Sequence, residues 1–410
     1  MSTSPRVIFV NRFYWPDEPA TAQLLTDLAE SLAASGLRVA IITSQPIRHK
    51  GLRHELRHGV EIIRVGGLRI GRRHALLKAL DFLSFSFGAL RKLSALLRPD
   101  DTLVVMTDPP LLGLPATRLA RYRGASVVHW VQDIYPEIAM AVSNASFAKI
   151  FRASRDRAWR RADACVALGT DMAGFIQSRG VDPAHITISP NWAPAGLGPL
   201  PAEATATLRK TWGLEGKFVV MYAGNLGRVH DLEPLLDLAT ALAHEPAIVF
   251  VLVGDGAQKS RLQSAATERG LTNLRFQPAQ PRERLGETLA LGDLHLVTLR
   301  ENCAQLVFPS KLYGIAAMGR PVLFIGPKLG ELARTIAHHA FGHTCSRDEI
   351  ASAAAVIQQL QTSPDVRVCL SRSALAFATE NGDPAKAAAT WLTLLNSLKS
   401  LASPNREPQI

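Results

Sequence analysis

Polar and glycine-rich stretches recur at the ends of apolar runs in this chain, and one of them could hold a phosphate. Phe308-Pro309-Ser310-Lys311 precedes the helical pattern Lys311–Met318, so a hydroxyl and a cation fall at a helix start. Proline fits a first turn and Ser310 can cap it, leaving backbone N–H groups directed out of the helix. A helix N-terminus with an added lysine can hold phosphate, although the same residues also make an ordinary N-cap. Gly319 stops the helix, Pro321 blocks its continuation, and Val322–Ile325 reads as a short buried strand. A second stretch, Gly224-Asn225-Leu226-Gly227-Arg228-Val229-His230, follows the apolar run Phe218–Ala223 and carries Arg228 in a glycine-rich loop. A third, Gly254-Asp255-Gly256, follows Ala247–Val253. A fourth, Gln132-Asp133-Ile134-Tyr135-Pro136-Glu137, follows Ser126–Val131. Its Asp133 offers a carboxylate at a strand end, or else forms a turn before Tyr135-Pro136.

These stretches need elements that bring strand ends together. Arg6–Val10 reads as a strand and Thr21–Ser35 as a helix with Leu24, Leu25, Leu28 and Leu32 on one face. Gly36 is its stop and Leu37–Thr43 the next strand. That βαβ order predicts a parallel sheet with a ligand crevice at the strand C-termini. Thr102–Met106, ending in Thr107-Asp108-Pro109-Pro110, with Ser126–Val131, Ala164–Leu168 and Ile186–Ser189 continue the sheet. Ala193–Glu203, rich in Pro, Ala and Gly, reads as a linker. A second βα series follows, with helices Leu232–Ala243 and Gln258–Arg269 and strands Leu274–Gln277 and His295–Leu299. The pattern predicts two Rossmann-like domains, 1–193 and 194–385. A tail helix Lys386–Leu401 comes last, and Ser403–Ile410 reads as disordered. Without GxGxxG after the first strand, a nicotinamide dinucleotide is not indicated.

The 410 residues carry a net charge of +11, and the excess is uneven. Residues 1–200 hold 25 of the 46 basic side chains and 16 of the 35 acidic ones. The densest cluster, Arg48–Arg98, has 12 basic against 3 acidic. An acidic partner for the first half is expected, a membrane surface, a phosphorylated substrate or nucleic acid, unless the basic face is simply solvated. Within the cluster, Arg72–Leu97 sets Leu76, Leu77, Leu80, Leu83, Phe87 and Leu90 in one broad stripe with Arg72, Arg73, Lys78, Arg91 and Lys92 near its ends. Such a segment suits an anionic membrane interface or a helix packed on the core. No aromatic stacking series accompanies it, which argues against nucleic acid. The cysteines Cys165, Cys303, Cys345 and Cys369 are far apart, so neither a metal site nor a disulfide framework is expected, and a reduced cytoplasmic setting fits. Val7–Val10 is too short for a signal peptide, and no stretch reaches the roughly 18 apolar residues of a membrane span.

Taken together, FYWPDEPATAQLLTDLAESLAASGLRVAIITSQP, VQDIYPE, SPNWA, YAGNLGR, LVGDGAQKSRL and PSKLYGIAAMGRPV make the chain resemble the retaining family 4 glycosyltransferases. The likeness is to bacterial surface-polysaccharide members with a PSK-x-Y donor loop, and it spans nearly the whole chain. It implies the GT-B fold: two Rossmann-like domains across a crevice, acceptor-side first and donor-binding second, with the tail 386–410 returning to the first. It implies transfer of a sugar from a nucleotide diphosphate sugar, a substrate rather than a cofactor, to a lipid-linked or glycan acceptor, without metal, at the cytoplasmic membrane face. Carried onto this sequence, the donor side is Gly224, Asn225, Arg228, His230, Asp255, Gly256, Ser310, Lys311 and Tyr313. The acceptor side is Thr21, Gln132 and Asp133. Asp133, Arg228 and Lys311 are the expected catalytic residues, the two cations neutralising the leaving diphosphate.

The chain departs from the family pattern. Asn225 and His230 stand where an Arg and a Lys are usual, so Arg228 must substitute. The Glu-x7-Glu pair falls on Leu306 and Gly314. Gln132 replaces a frequent acceptor-side His, Thr21 takes a place where glycine is common, and His129 is expected to be packed in its strand. The lost acids leave open a catalytically weak protein that binds donor or a partner; a sugar-nucleotide 2-epimerase is a further alternative, against which stands the small number of acid/base side chains clustered near the donor stretches.

Overall fold

The computed structural model describes residues 5–46, 51–67, 75–143 and 146–401, so the expectations for Arg72, Arg73 and Ser403–Ile410 lie outside the described residues. The chain divides into two compact units, Met1–Pro190 with Pro384–Ile410, and Asn191–Asp383.

In chain order, the first unit runs β1 (Arg6–Val10), α1 (Ala20–Ala34), β2 (Arg38–Ser44), β3 (His54–Arg57), β4 (Val60–Val65), α2 (Ala75–Leu96) and β5 (Thr102–Met106). It continues through α3 (Gly113–Tyr122), β6 (Ser126–Trp130), α4 (Glu137–Val142), α5 (Arg152–Arg160), β7 (Ala164–Ala167), α6 (Thr170–Gln177) and β8 (Ile186–Ile188). The sheet order is β3-β4-β2-β1-β5-β6-β7-β8, parallel except for the antiparallel edge strand β3. Fully buried strands such as RVIFV and TLVVM are near-continuous apolar runs, as a sheet covered on both faces requires. The order reverses between β1 and β5, so the residues after β1, β5 and β6 gather at one sheet edge.

The second unit comprises α7 (Glu203–Thr211), β9 (Phe218–Ala223), α8 (Glu233–Ala241), β10 (Ile248–Val253), α9 (Lys259–Glu268), β11 (Leu274–Gln277), α10 (Leu285–Ala290) and β12 (Leu294–Thr298). After these come α11 (Lys311–Ala317), β13 (Val322–Ile325), α12 (Glu331–His338), β14 (Gly342–Cys345), α13 (Ile350–Thr362) and α14 (Pro364–Asn381). Its all-parallel sheet runs β11-β10-β9-β12-β13-β14 and reverses between β9 and β12. The core is built from Tyr222, Leu235, Phe250, Leu252, Leu296 and their neighbours. The stretch read as a linker belongs to this unit. The Ala193 N–H donates to Gly382 O at 3.1 Å, and Leu197 lies against Gly314. Its Ala, Leu and Pro content, unlike a polar linker, gives it surface to bury.

α15 (Pro384–Leu401) is part of the first unit, where it packs on α1. Trp391 anchors it, fully buried with its ring 5.0 Å from Trp130 and 5.9 Å from Phe9. Two Rossmann-like α/β units are thus the fold expected from the resemblance.

The stripe of α2 is not packed on the core throughout. The core face of the helix is Phe85, Ala89 and Leu93, all buried. Leu80, Leu83 and Phe87 are 46%, 61% and 73% exposed, so these members of the stripe do not pack on the core. Among the described residues, no helix is long and apolar enough to cross a membrane.

Candidate functional site

In the second unit, β9 and β10 end side by side and release two glycine loops that pack backbone on backbone. Gly254 has φ +142°, and a Cβ there would lie 2.1 Å from Gly224 O. Gly256 has φ +155°, and its Cβ would meet the Leu226 backbone at 2.6 Å. Only glycine permits this approach. Leu226 N–H donates to Asp255 O (2.8 Å) and Gln258 N–H to Leu226 O (3.1 Å), which join the loops. The exposed Asp255 carboxylate accepts the Gly256 N–H at 2.8 Å.

Lys311 opens α11 and reaches this place. Its Nζ lies 3.6 Å from the centroid of the Tyr222 ring and would sit 3.2 Å from a Cβ on Gly224. Among the described residues, the buried Nζ has no hydrogen-bond partner. Desolvation pushes the ammonium down to about 7. A buried amine with nothing to bind is costly unless a ligand completes it.

Gly224, Asn225, His230, Asp255, Gly256 and Lys311 therefore converge at the reversal point of one sheet. His230 supplies no charge. Its Nδ1 bonds Thr298 O at 2.7 Å, and burial, together with Lys311, pushes the ring down to about 3. Arg228 is exposed in the loop. Ser310 does not cap α11: it has helical φ −59° and ψ −20°, makes no capping bond, and sits inside the first turn, with Leu312 N–H bonded to Pro309 O. Tyr313 is a packing residue, stacked on Phe377 at 5.8 Å and 5.9 Å from Phe308. The places of the missing acids are apolar. Leu306 is buried, and a Cβ at Gly314 would meet Leu197 and Leu289 at 3.4 and 3.5 Å.

Three contributors escape a sequence reading. Tyr222 donates its hydroxyl to Asn225 O (2.9 Å) beneath Lys311. Gln258 and Arg300 both bond the carbonyls of the Gly224–His230 loop. Their signal is position only: Tyr222 opens the YA that precedes Gly224, Gln258 follows GDGA, and Arg300 follows β12.

In the first unit, Asp133 follows β6, and its N–H donates to Thr107 Oγ1 at 3.3 Å. Burial, then the neighbouring Asp108 carboxylate, pushes its carboxyl up to about 6. Arg12 holds Asp108 by two bonds (3.1 and 3.2 Å) and Asp81 of α2 by one (2.9 Å), stacked between Phe13 and Phe82. Gln132 is buried and Thr21 lies half-buried in the first turn of α1. His129 is packed, bonded to Thr117 Oγ1 at 2.9 Å, and burial pushes it down to about 4. Glu137 is locked by Arg155 at 2.9 and 3.0 Å, which braces the strand-end loop.

Residues 21–192 match a glycosyl transferase 4-like domain, and residues 205–375 match glycosyl transferases group 1. WcaI of Escherichia coli (strain K12), named for colanic acid biosynthesis glycosyl transfer, is 28% identical over 343 residues, 78% of this chain and 84% of WcaI. WbjE of Pseudomonas aeruginosa, named for glycosyl transfer, is 29% identical over 285 residues, 68% of this chain and 70% of WbjE. HepE of Anabaena, solved with UDP and glucose, matches with a TM-score of 0.75 at 17% identity, covering 96% of this chain and 100% of HepE. Sucrose-phosphate synthase from Thermosynechococcus elongatus matches with a TM-score of 0.79 at 17% identity, covering 97% and 100%. At that identity the two structures speak for the fold.

Proposed function

Since the chain is a glycosyltransferase, joining a glycosyl transferase 4-like domain to a group 1 domain, we propose that it moves a sugar, with retention, from a nucleotide diphosphate sugar to a lipid-linked or polysaccharide acceptor in cell-surface glycan synthesis. The observation that carries this is Lys311 Nζ, buried, without a hydrogen-bond partner among the described residues, and close to the glycine loop after β9. A diphosphate there completes the amine, and its negative charge restores the ammonium to its usual range. As the glycosidic bond breaks, Lys311 and Arg228 neutralise the leaving group with no metal ion required. Asp133 orients the acceptor hydroxyl or the donor sugar. UDP in a structure of the same fold and a relative named for colanic acid biosynthesis support the reading.

The acceptor places the enzyme at the cytoplasmic membrane face, held peripherally by the exposed Leu80, Leu83 and Phe87 of α2 and the nearby Arg91 and Lys92. Asp81 does not oppose this, because Arg12 neutralises it.

A thermal-shift series with UDP, GDP, ADP and dTDP tests the donor site. At 100 times Kd a ligand adds about 2.7 kcal/mol of stability. One of the four should raise the midpoint, and Lys311→Met should abolish the rise. No rise with any nucleoside diphosphate would overturn the proposal.

A further inference from the structure

The loop from Asn225 to His230 has every one of its six carbonyl oxygens bonded. Asn225 O accepts from the Tyr222 hydroxyl (2.9 Å) and Leu226 O from Gln258 N–H (3.1 Å). Gly227 O accepts from Gln258 Nε2 (2.7 Å) and from His230 N–H (3.1 Å). Arg228 O accepts from Arg300 Nε (2.7 Å), Val229 O from Arg300 N–H (3.0 Å) and His230 O from Gln258 Nε2 (2.9 Å). Among the described residues, the amides of Asn225, Gly227, Arg228 and Val229 have no partner. The loop is thus polarised, with its acceptors consumed and four donors unspent.

Two residues do most of this. Gln258 is buried, spans Gly227 and His230 with one amide nitrogen, and turns its oxygen to the Arg261 guanidinium at 3.2 Å. That arrangement sets which end of the side-chain amide faces the loop. Arg300, at the end of β12, reaches across the reversal point of the sheet and grips two successive carbonyls. A carbonyl left free in this loop would present its negative end to an incoming phosphate, whereas a run of unspent amides attracts one.

We infer that Gln258 and Arg300 are positioning residues for the donor diphosphate. They tie back the carbonyls of the Asn225–His230 loop so that its amides face the anion beside Lys311. The inference rests on the donor site proposed above.

The test uses isosteres. Gln258→Met keeps the side-chain length, Arg300→Met keeps it as far as the place of Nε, and each removes only side-chain donors, the Arg300 N–H to Val229 O remaining in place. Arg300→Gln removes the charge but keeps a nitrogen at the place of Nε, able to donate to Arg228 O. Binding of the nucleoside diphosphate that the parent prefers, of its monophosphate and of the bare nucleoside is measured by calorimetry, with thermal unfolding in parallel. Both Met variants should lose about tenfold or more in diphosphate affinity, with nucleoside affinity unchanged. Arg300→Gln should recover most of the loss. Equal diphosphate affinity in parent and Met variants, equal losses for diphosphate and nucleoside, or failure of Arg300→Gln to recover would each overturn the inference. A parent that binds no nucleoside diphosphate would instead overturn the donor site itself.

Discussion

The strand ends of the two units are built from opposite materials. After β9 and β10 the chain offers backbone: glycine loops in contact, carbonyls tied back, and one buried ammonium. After β5 and β6 it offers side-chain carboxylates, Asp108 and Asp133, with Arg12 holding the first. The first arrangement suits a large anion that must be bound and released. The second suits a single hydroxyl that must be aligned or relieved of a proton. An electrostatic site made of backbone is pre-set by the fold, whereas a carboxylate pair stays sensitive to pH.

Charge removal in the second unit should have the largest effect. Lys311→Ala takes away the buried ammonium beside the glycine loop and should lower transfer by about 10²–10³, the usual loss for one donor to developing charge. Arg228→Ala, at an exposed position, should cost less, about tenfold or 1.4 kcal/mol. Initial rates with saturating acceptor check both. Parental rates in both variants would break the contrast, since the second unit would then hold no charge-neutralising site.

The pH profile sharpens the same contrast. Asp133 is raised to about 6, so its carboxylate form is lost as pH falls through 6. Lys311 is lowered to about 7, so its ammonium is lost as pH rises through 7 in the free enzyme. The expected kcat/KM profile is therefore narrow, with limbs near 6 and 7, because kcat/KM reports the free enzyme. In kcat the upper limb should move to higher pH, since bound diphosphate favours the charged lysine. Asp133→Asn should remove the lower limb and leave the upper one. A lower limb unchanged in that variant would assign Asp133 to turn formation.

The glycine loops were readable in sequence because close backbone contact leaves a residue-type mark: Gly224, Gly254 and Gly256 at strand ends. The places of the missing acids were readable too, and burial of Leu306 and the apolar neighbours of Gly314 explain why no glutamate serves there. What stayed hidden depends on strand order. Tyr222, Gln258 and Arg300 converge because β9 lies between β10 and β12, and no local pattern states that adjacency. Arg12 and Asp108 meet for the same reason, across β1 and β5. The stripe on α2 was readable as apolar, but which face the core takes depends on the sheet beneath, and the core took Phe85, Ala89 and Leu93.

The smallest expected effect concerns α2, the element through which the carboxylate side of the comparison meets a third surface. Arg12 joins Asp81 on α2 to Asp108, so the helix is braced from within and its outer face is free to carry Leu80, Leu83 and Phe87. Three apolar side chains and a few cations give weak attachment, since each basic residue near an anionic surface adds about 1 kcal/mol and salt screens it. Co-sedimentation with vesicles containing anionic lipid at low salt should show binding that falls as salt is added. Leu83→Ser with Phe87→Ser should reduce it at every salt concentration, and Arg91→Gln with Lys92→Gln should reduce it chiefly at low salt. None of the four is among the candidate site residues, so transfer to a water-soluble acceptor should be unchanged while transfer to a vesicle-borne acceptor falls. Equal binding to neutral and anionic vesicles would remove the electrostatic contribution. No binding to either would assign the exposed stripe to a role other than membrane attachment.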